Sequence, residues 1–403
     1  MLIHKLLCCP KKSRLFLRSV LKECTRAYAL EHSNVSRHFS RQYTTAAPEH
    51  VVYVSRSKNI FENLALEDWI YENGDLENKS YLLMWSNGPA VVTGLHQNTW
   101  MECNVARILA EKVDLARRKS GGGTVYHDTG NLNLSFIKSR RRYNRKENLE
   151  LVKSALVSMW DVDLSINCRE DLILDGFFKV SGTAAKLGGH RTYHHFTLLV
   201  DVDVERLATL LQSPMIGVKS KSTESVPANV RNLVVSAPSI NIPSILQCVG
   251  DKFLHHNTPQ GNCSIRHIDT ITDSDFPGVS TKIEELKNWD WIFAKTPPFS
   301  IIKSYTKVID GQKVDLDLNI DIVKGKIHKI KTNLSSGGQT AVSNDTHLQQ
   351  YLVKLTDKPL KIQELSPFFQ TLISQANSGY ESVVIKSHVQ WVLECIRKSL
   401  LSE

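Results

Sequence analysis

The sequence predicts an α+β fold on a mixed sheet, followed by a smaller α+β domain. Two observations favour this class: short apolar strands alternate with helical patterns, and several turn signals lie close enough together for hairpins. The length, 403 residues with 41% hydrophobic content, suits roughly two domains. We expect the first domain at 48–288 and the second at 289–403, with two prolines in residues 295–299 marking the linker.

The individual elements follow from the spacing of apolar residues and from glycine, proline and asparagine turns. In the first domain these are a strand at 51–54, a helix at 59–70, a hairpin of 81–85 with 90–93, a helix from Val105, a strand at 132–136, a solvated basic loop at 138–146, a helix at 148–160, strands at 172–174 and 177–180, and a long loop at 213–232. In the second domain they are a strand at 314–320, a turn at Lys324-Gly325, and helices near 347–355 and 389–401.

Positive charge is concentrated at the beginning of the chain. Residues 1–43 contain nine lysines and arginines and two glutamates, a net of +7; the whole chain carries +9, which leaves +2 for the rest. A basic, acid-poor leader with apolar residues among its charges predicts a mitochondrial transit peptide and a matrix location. A nearly neutral body argues against nucleic-acid binding. No run approaches the roughly 18 apolar residues of a membrane span, so we expect no membrane association.

The cysteines and histidines do not predict a metal site. Three of the eight cysteines fall in the leader, and the other five form no Cys-x-x-Cys pair, so neither structural zinc nor a disulfide framework is expected. His190, His194 and His195 lack an accompanying carboxylate or thiol. In addition, adjacent residues of a strand point to opposite faces.

Two stretches carry the chemistry. The first contains Gly121, Gly122 and Gly123 after a pair of arginines. Without Cβ atoms, this backbone can lie against a ligand and direct its N–H groups at an anion or a carbonyl oxygen. The paired arginines are expected to place positive charge at the mouth of this loop. Three glycines alone are equally compatible with a flexible turn.

The second stretch surrounds Lys179, which lies among Phe177, Phe178 and Val180. A lysine in apolar company either snorkels from a strand end or is held against a ligand. The residues alone leave both interpretations open.

Both stretches resemble motifs of the lipoate–protein ligase A family. The string Arg-Arg-x-Ser-Gly-Gly-Gly-x-Val-Tyr-His-Asp-x-Gly-Asn from Arg117 is similar to the family's lipoate-binding loop. Lys-Val-Ser-Gly-Thr-Ala from Lys179, followed by the His194-His195 pair, resembles a second family pattern. The resemblance implies a mixed-sheet, biotin/lipoate-ligase-like catalytic domain, in which Lys179 is catalytic and touches the acyl carbonyl and the phosphate of an acyl-adenylate.

The resemblance also implies the binding residues. For the lipoyl nucleotide they are Arg117, Ser120, Gly121, Gly122, Gly123, Tyr126, His127, Asn131, Arg169, Asp171, Thr183, His195, Thr197 and Thr223. For the acyl pocket they are Leu64 and Trp85.

The implied activity is transfer of a lipoyl group to a lysine of 2-oxo acid dehydrogenase E2 lipoyl domains. The donor would be lipoyl-AMP, lipoyl-GMP or the lipoylated glycine-cleavage H protein, with no permanent cofactor and a monomeric enzyme. Bacterial ligases of this family often carry Arg-Asn-Asp where this chain has Arg169-Glu170-Asp171, which leaves the use of Mg²⁺ open. An ATP-dependent ligase that also activates free lipoate is the alternative. An octanoyltransferase would need a cysteine facing the lysine, and the nearest one, Cys168, precedes Arg169.

Overall fold

The computed structural model describes residues 48–256, 264–336, 339–340, 346–378 and 383–401. The predicted transit peptide, residues 1–43, lies outside them. Residues Ala47–Glu403 cluster as one compact unit, and the predicted boundary after residue 288 stays a prediction. Among the described helices, none combines the length and the apolar character that crossing a bilayer requires.

The predicted alternation of strands and helices is confirmed. The strands are β1 Glu49–Ser55, β2 Lys79–Trp85, β3 Ala90–Thr93, β4 Asp114–Arg117, β5 Val125–His127, β6 Asn131–Ser139, β7 Leu164–Ile166, β8 Leu172–Leu174, β9 Phe178–Lys179, β10 Ser181–Leu187, β11 Arg191–Leu199, β12 Val218–Ser220, β13 Arg266–Ile268, β14 Phe299–Ile309, β15 Gln312–Val323, β16 Lys326–Ser336 and β17 Gln339–Thr340. The α-helices are α1 Ile60–Asn73, α2 Thr99–Glu102, α3 Val105–Ala110, α4 Arg145–Met159, α5 Val204–Leu210, α6 Ile242–Leu254, α7 Val279–Lys287, α8 Thr346–Leu355, α9 Ile362–Ser378 and α10 Val383–Leu401.

The main sheet is mixed, as predicted. Within the described residues its order is β10-β11-β6-β2-β1-β13, with β1 parallel to β2 and β13 and the other neighbours antiparallel. One face packs against α4 and α6, and the other packs against α1. Because both faces are covered, all nine residues of the central strand β6 are buried.

The predicted hairpin of 81–85 with 90–93 is wrong. Both strands exist, but β2 pairs with β1 and β6, whereas β3 lies in a second sheet between β4 and β5. The connection between them is fixed by the buried Asn87, which accepts a hydrogen bond from Asn63 and donates one to the His127 ring. The Gly88 N–H also donates to the Lys58 carbonyl, at 2.8 Å. These contacts lead the chain from one sheet to the other.

The region after residue 298 is built on an antiparallel sheet of order β12-β14-β15-β16-β17. The alternation predicted at 314–320 is confirmed, since Val314, Leu316, Leu318 and Ile320 are all buried. Helices α8 and α10 are confirmed, and α9 was not predicted. Strand β12 comes from the predicted loop at 213–232 and pairs with β14, so this loop is part of the sheet.

Candidate active site

A cavity of about 890 Å³ lies between the glycine loop (residues 121–123), strands β10 and β11, and the chain around residues 223–230. It brings together twelve of the residues predicted for the site, from positions far apart in sequence. They are Gly122, Gly123, Tyr126, His127, Asn131, Arg169, Asp171, Lys179, Thr183, His195, Thr197 and Thr223.

Five predicted residues lie outside the cavity lining: Leu64, Trp85, Arg117, Ser120 and Gly121. Leu64 is buried in the hydrophobic core. The Trp85 ring lies edge-on to His195 at 5.0 Å between centroids, so it supports a lining residue from behind. The Ser120 carbonyl accepts a hydrogen bond from the Leu95 N–H, and the Gly121 N–H faces the Ala185 carbonyl at 3.4 Å.

The two arginines before the glycines have different environments. Arg117 is fully buried, and its guanidinium donates to four carbonyl oxygens and two hydroxyls. These acceptors are the carbonyls of Gly94, Leu95, Gln97 and Ile292 and the hydroxyls of Thr99 and Thr296. The expectation that Arg117 places charge at the mouth of the loop is therefore wrong. The contacts to Ile292 and Thr296 also show that the predicted linker and the residues just before it pack against Arg117.

Arg118, which the sequence analysis did not single out as a binding residue, lines the cavity. Its guanidinium donates to the carbonyls of Gly121 and Gly123, both at 2.7 Å, and to Val92 at 3.1 Å. Burial lowers the pKa of Arg117 and of Arg118 to about 10, which leaves both charged at neutral pH. Nothing in the sequence distinguishes the two arginines.

The conformation of the glycine loop requires a residue without a side chain at position 122. Its φ is +88°, a left-handed conformation that favours glycine. A Cβ there would lie 3.0 Å from the Arg118 guanidinium and 3.1 Å from the Thr183 carbonyl oxygen. The loop therefore lies closely against β10 and its own arginine.

Lys179 shares this cavity with the glycine loop. Its ammonium lies 2.9 Å from the carboxylate of Asp171, which is 7% exposed, whereas the lysine side chain is 24% exposed. The lysine backbone is also fixed, since its N–H donates to the Asn229 carbonyl and its own carbonyl accepts from the Arg231 N–H. The result is an ammonium oriented by Asp171 in the same cavity as Gly122 and Gly123.

Two buried histidines, His127 and His195, line the cavity. The Nδ1 atom of His195 lies 3.0 Å from a Glu67 carboxylate oxygen, and its Nε2 lies 3.2 Å from the Asn133 side-chain oxygen. Burial, with a smaller effect of His195, lowers the pKa of His127 well below its usual value, so His127 is neutral. Among the described residues, no group of three or more His, Cys, Asp or Glu side chains is arranged to hold a metal ion.

Residues 222–231, here called the crossing segment, line one side of the cavity and contact both the end of the glycine loop and Lys179. At one end, the Ser225 hydroxyl donates to the Glu102 carboxylate and accepts from the Gln97 amide at 3.1 Å and the Thr124 N–H at 2.9 Å. At the other end is the contact from Asn229 to Lys179. The sequence analysis did not identify Glu102 or Ser225, because their contact spans 123 residues.

The α+β fold and the cavity are those of an acyl-transferring enzyme of the lipoate-ligase type. Residues 59–254 match the family model of the lipoyl protein ligase A/B catalytic domain. The chain is 41% identical over 278 residues to human mitochondrial lipoyl amidotransferase LIPT1, covering 69% of this chain and 74% of that protein. It is 34% identical over 283 residues to the lipoate-protein ligase A of Bdellovibrio bacteriovorus, covering 67% and 82%.

The chain therefore belongs to the lipoyl amidotransferase and lipoate–protein ligase A family. A solved structure, that of P. falciparum LipL1 in complex with lipoate, has the same fold. Its TM-score is 0.53 at 24% identity, over 88% of this chain and 100% of that one.

Proposed function

We propose that this enzyme transfers a lipoyl group from a preactivated donor to the acceptor lysine of a 2-oxo acid dehydrogenase E2 lipoyl domain, forming an amide. The observation that carries the proposal is the single cavity shared by Lys179, Gly122 and Gly123. Relatives from human and mouse that are named mitochondrial lipoyl amidotransferases support the same activity.

The donor in this proposal is lipoyl-AMP, lipoyl-GMP or the lipoylated glycine-cleavage H protein. With a lipoyl nucleotide, the neutral amine of the acceptor attacks the acyl carbonyl carbon, and a C–N bond forms. The C–O bond to phosphate then breaks, the nucleoside monophosphate leaves, and the amine loses a proton to solvent. No external oxidant or energy source is needed, because the acyl phosphate is already activated.

Lys179 stabilises the charge that develops during this step. Its ammonium donates to the carbonyl oxygen and to the adjacent phosphate, while Asp171 orients it from 2.9 Å. The glycine loop allows the donor to approach the backbone. The aliphatic arm of the lipoyl group extends toward His195 and the Trp85 behind it, and its burial contributes about 0.8 kcal/mol per methylene.

A preactivated donor is favoured over ATP-dependent activation by the environment of Glu170. Its carboxylate lies 3.0 Å from the Arg145 guanidinium, which also lines the cavity and donates to the Thr183 hydroxyl. Because Glu170 forms an ion pair with Arg145, this arginine is less available to bind the phosphates of ATP. The proposed enzyme has no permanent cofactor, and Mg²⁺ is a variable in its test.

We place the enzyme in the mitochondrial matrix as a monomer. The basic leader at 1–43 and the mitochondrial relatives support that compartment. The proposed partners are the apo lipoyl domains and the H protein, which supplies or receives lipoyl groups there.

The test supplies lipoyl-AMP and an apo lipoyl domain to the protein and follows the mass of the domain. Lys179→Ala is expected to lower the transfer rate by about 10²–10³. Lys186→Ala is a matched control, because that lysine is 23% exposed and lies 3.1 Å from a buried carboxylate, Asp68, outside the cavity lining. Domain modification that survives in Lys179→Ala overturns the role of this lysine.

A second assay separates the two donors. The protein is incubated with ATP, free lipoate and the apo domain, with and without Mg²⁺. We expect modification with lipoyl-AMP and none from ATP and lipoate. Equal rates in the two assays would favour the ATP-dependent ligase.

A further inference from the structure

A short stretch that ends in the first turn of helix α4 is rich in basic residues. Residues 138–146 contain six lysines and arginines and no acid. The expected solvated loop is only partly present, because Lys138 is buried in β6 and the Arg142 guanidinium donates to three backbone carbonyls. Three cations remain on the exposed surface: Arg140, Arg141 and Lys146. We call these three residues the basic ridge.

One end of the basic ridge, Lys146, adjoins the cavity lining in sequence. The Arg140 N–H donates to the His190 carbonyl at 2.8 Å, which ties the ridge to the turn between β10 and β11. Between Arg141 and Lys146 the chain passes through Arg145, whose guanidinium lines the cavity and donates to the Thr183 hydroxyl at 2.8 Å. The ridge is therefore continuous in sequence with one wall of the site.

The charges of the ridge are not neutralised within the part of the chain that the structure describes. None of the three side chains has a carboxylate within ion-pair distance there. The Arg140 guanidinium lies over the Tyr143 ring, 5.6 Å from its centroid, and the following acid, Glu147, lies 3.3 Å from the His256 ring. An exposed cluster of this kind attracts a partner surface of opposite charge.

We propose that the basic ridge is the docking surface for an acidic face of the acceptor domain, an inference that rests on the proposed function. The acceptor is a folded domain, and only its lysine side chain enters the cavity, so its body must contact the surface beside the opening. Lys146 directly follows Arg145 of the cavity lining, and Arg140 and Arg141 are exposed cations of the same stretch without a carboxylate partner among the described residues. They contribute mainly to the rate of encounter and to the orientation of the domain, as charges at an interface rim do.

The experiment compares a ridge variant, Arg141→Glu/Lys146→Glu, with a control variant, Lys329→Glu/Lys331→Glu. The control makes the same change in net charge at two exposed lysines of β16, outside the cavity lining. Two acceptors are used with lipoyl-AMP: the apo lipoyl domain and a short lysine peptide without acidic residues. The ridge variant is expected to raise the KM for the domain about tenfold at low ionic strength.

The KM for the peptide should stay unchanged, since the peptide lacks the acidic face. Raising the salt should shrink the difference for the domain, because the Debye length is about 8 Å at 0.15 M. Thermal unfolding of both variants checks that they fold.

The outcomes separate this inference from the function beneath it. If the unsubstituted protein modifies the domain and the ridge variant matches the control, the docking inference is overturned and the proposed function stands. If the unsubstituted protein does not modify the domain, the proposed function fails. Salt-sensitive RNA binding that the ridge variant loses, with an unchanged KM for the domain, would assign the ridge to nucleic acid instead.

Discussion

Two of the walls of the cavity differ in construction. The inner wall consists of the glycine loop with β5 and β6, and its polar side chains, such as His127 and Asn131, are only 1% exposed. The outer wall is the crossing segment, residues 222–231, where Thr223, Glu224 and Val226 are exposed. The inner wall is thus part of the folded core, whereas the outer wall is attached to it through a few hydrogen bonds.

This difference assigns separate tasks to the two walls. A wall built into the core holds a fixed geometry, and substitutions there should lower the stability of the whole protein. A wall attached by a few polar contacts opens locally at little cost, which suits the entry of a donor and the exit of a nucleotide. Substitutions in the inner wall and its support should therefore change unfolding, and substitutions in the outer wall should change KM.

The largest expected effect comes from Arg117→Met, which removes the support of the inner wall. Six acceptors lose their donor, and several of them are buried. We expect the free energy of unfolding to fall by about 3 kcal/mol or more. Urea unfolding measures this. The control is Arg107→Met, whose partner Glu111 lies four residues on at the surface; it should change stability by less than about 1 kcal/mol.

The second effect is the overpacking caused by Gly130→Ala, at the turn into β6. A Cβ there would lie 1.8 Å from the Asp201 carbonyl oxygen, and backbone cannot move aside as a flexible side chain does. The expected cost is about 1–3 kcal/mol. Gly189→Ala is the control, since no atom lies within 4 Å of its Cβ. Equal melting temperatures for the two variants would contradict the close approach.

The glycine loop, Lys179 and the paired arginines show how much of the site the sequence predicts. The three glycines and Lys179 were identified through the resemblance of their motifs to the family, since residue types alone left a flexible turn and a snorkelling lysine open, and the structure places Gly122, Gly123 and Lys179 in one cavity. The contrast between Arg117 and Arg118 could not be predicted, because which guanidinium faces the core depends on packing from residues 292–296.

The crossing segment lies within the long loop that the sequence predicts at 213–232. Its attachment to Glu102 depends on a contact between residues distant in sequence, and no local pattern encodes such a pair. The wrong hairpin has the same origin. The chain does turn at Asn87-Gly88, but the buried Asn87 side chain bonds to Asn63 and His127, and the next strand joins a different sheet instead of pairing with β2.

The third prediction concerns pH and the buried His127 of the inner wall. Its native pKa is well below the usual 6.5, mainly because of burial, so the unfolded chain binds a proton that the native protein does not. The free energy of unfolding is therefore highest above pH 6.5, and it falls as the pH drops below 6.5 and the unfolded chain takes up the proton. Each unit of depression contributes up to about 1.4 kcal/mol.

Unfolding free energies measured between pH 7.5 and pH 5 test this expectation. His127→Gln should lose part of the slope that the unsubstituted protein shows over this range. A slope that is the same in both proteins would show that other groups, such as the buried His194, account for it.

The smallest effect on stability, and the sharpest test of the comparison, is expected for Ser225→Ala in the crossing segment. The substitution removes the hydroxyl that joins Glu102, Gln97 and the Thr124 N–H. Since one such attachment is worth about 1 kcal/mol, the KM for lipoyl-AMP should rise about fivefold, with little change in the melting temperature. Ser239→Ala, an exposed serine in the loop before α6, is the control. If Ser225→Ala instead lowered the melting temperature as much as Gly130→Ala while leaving KM unchanged, the outer wall would be as much a part of the core as the inner wall, and the division of tasks between them would be wrong.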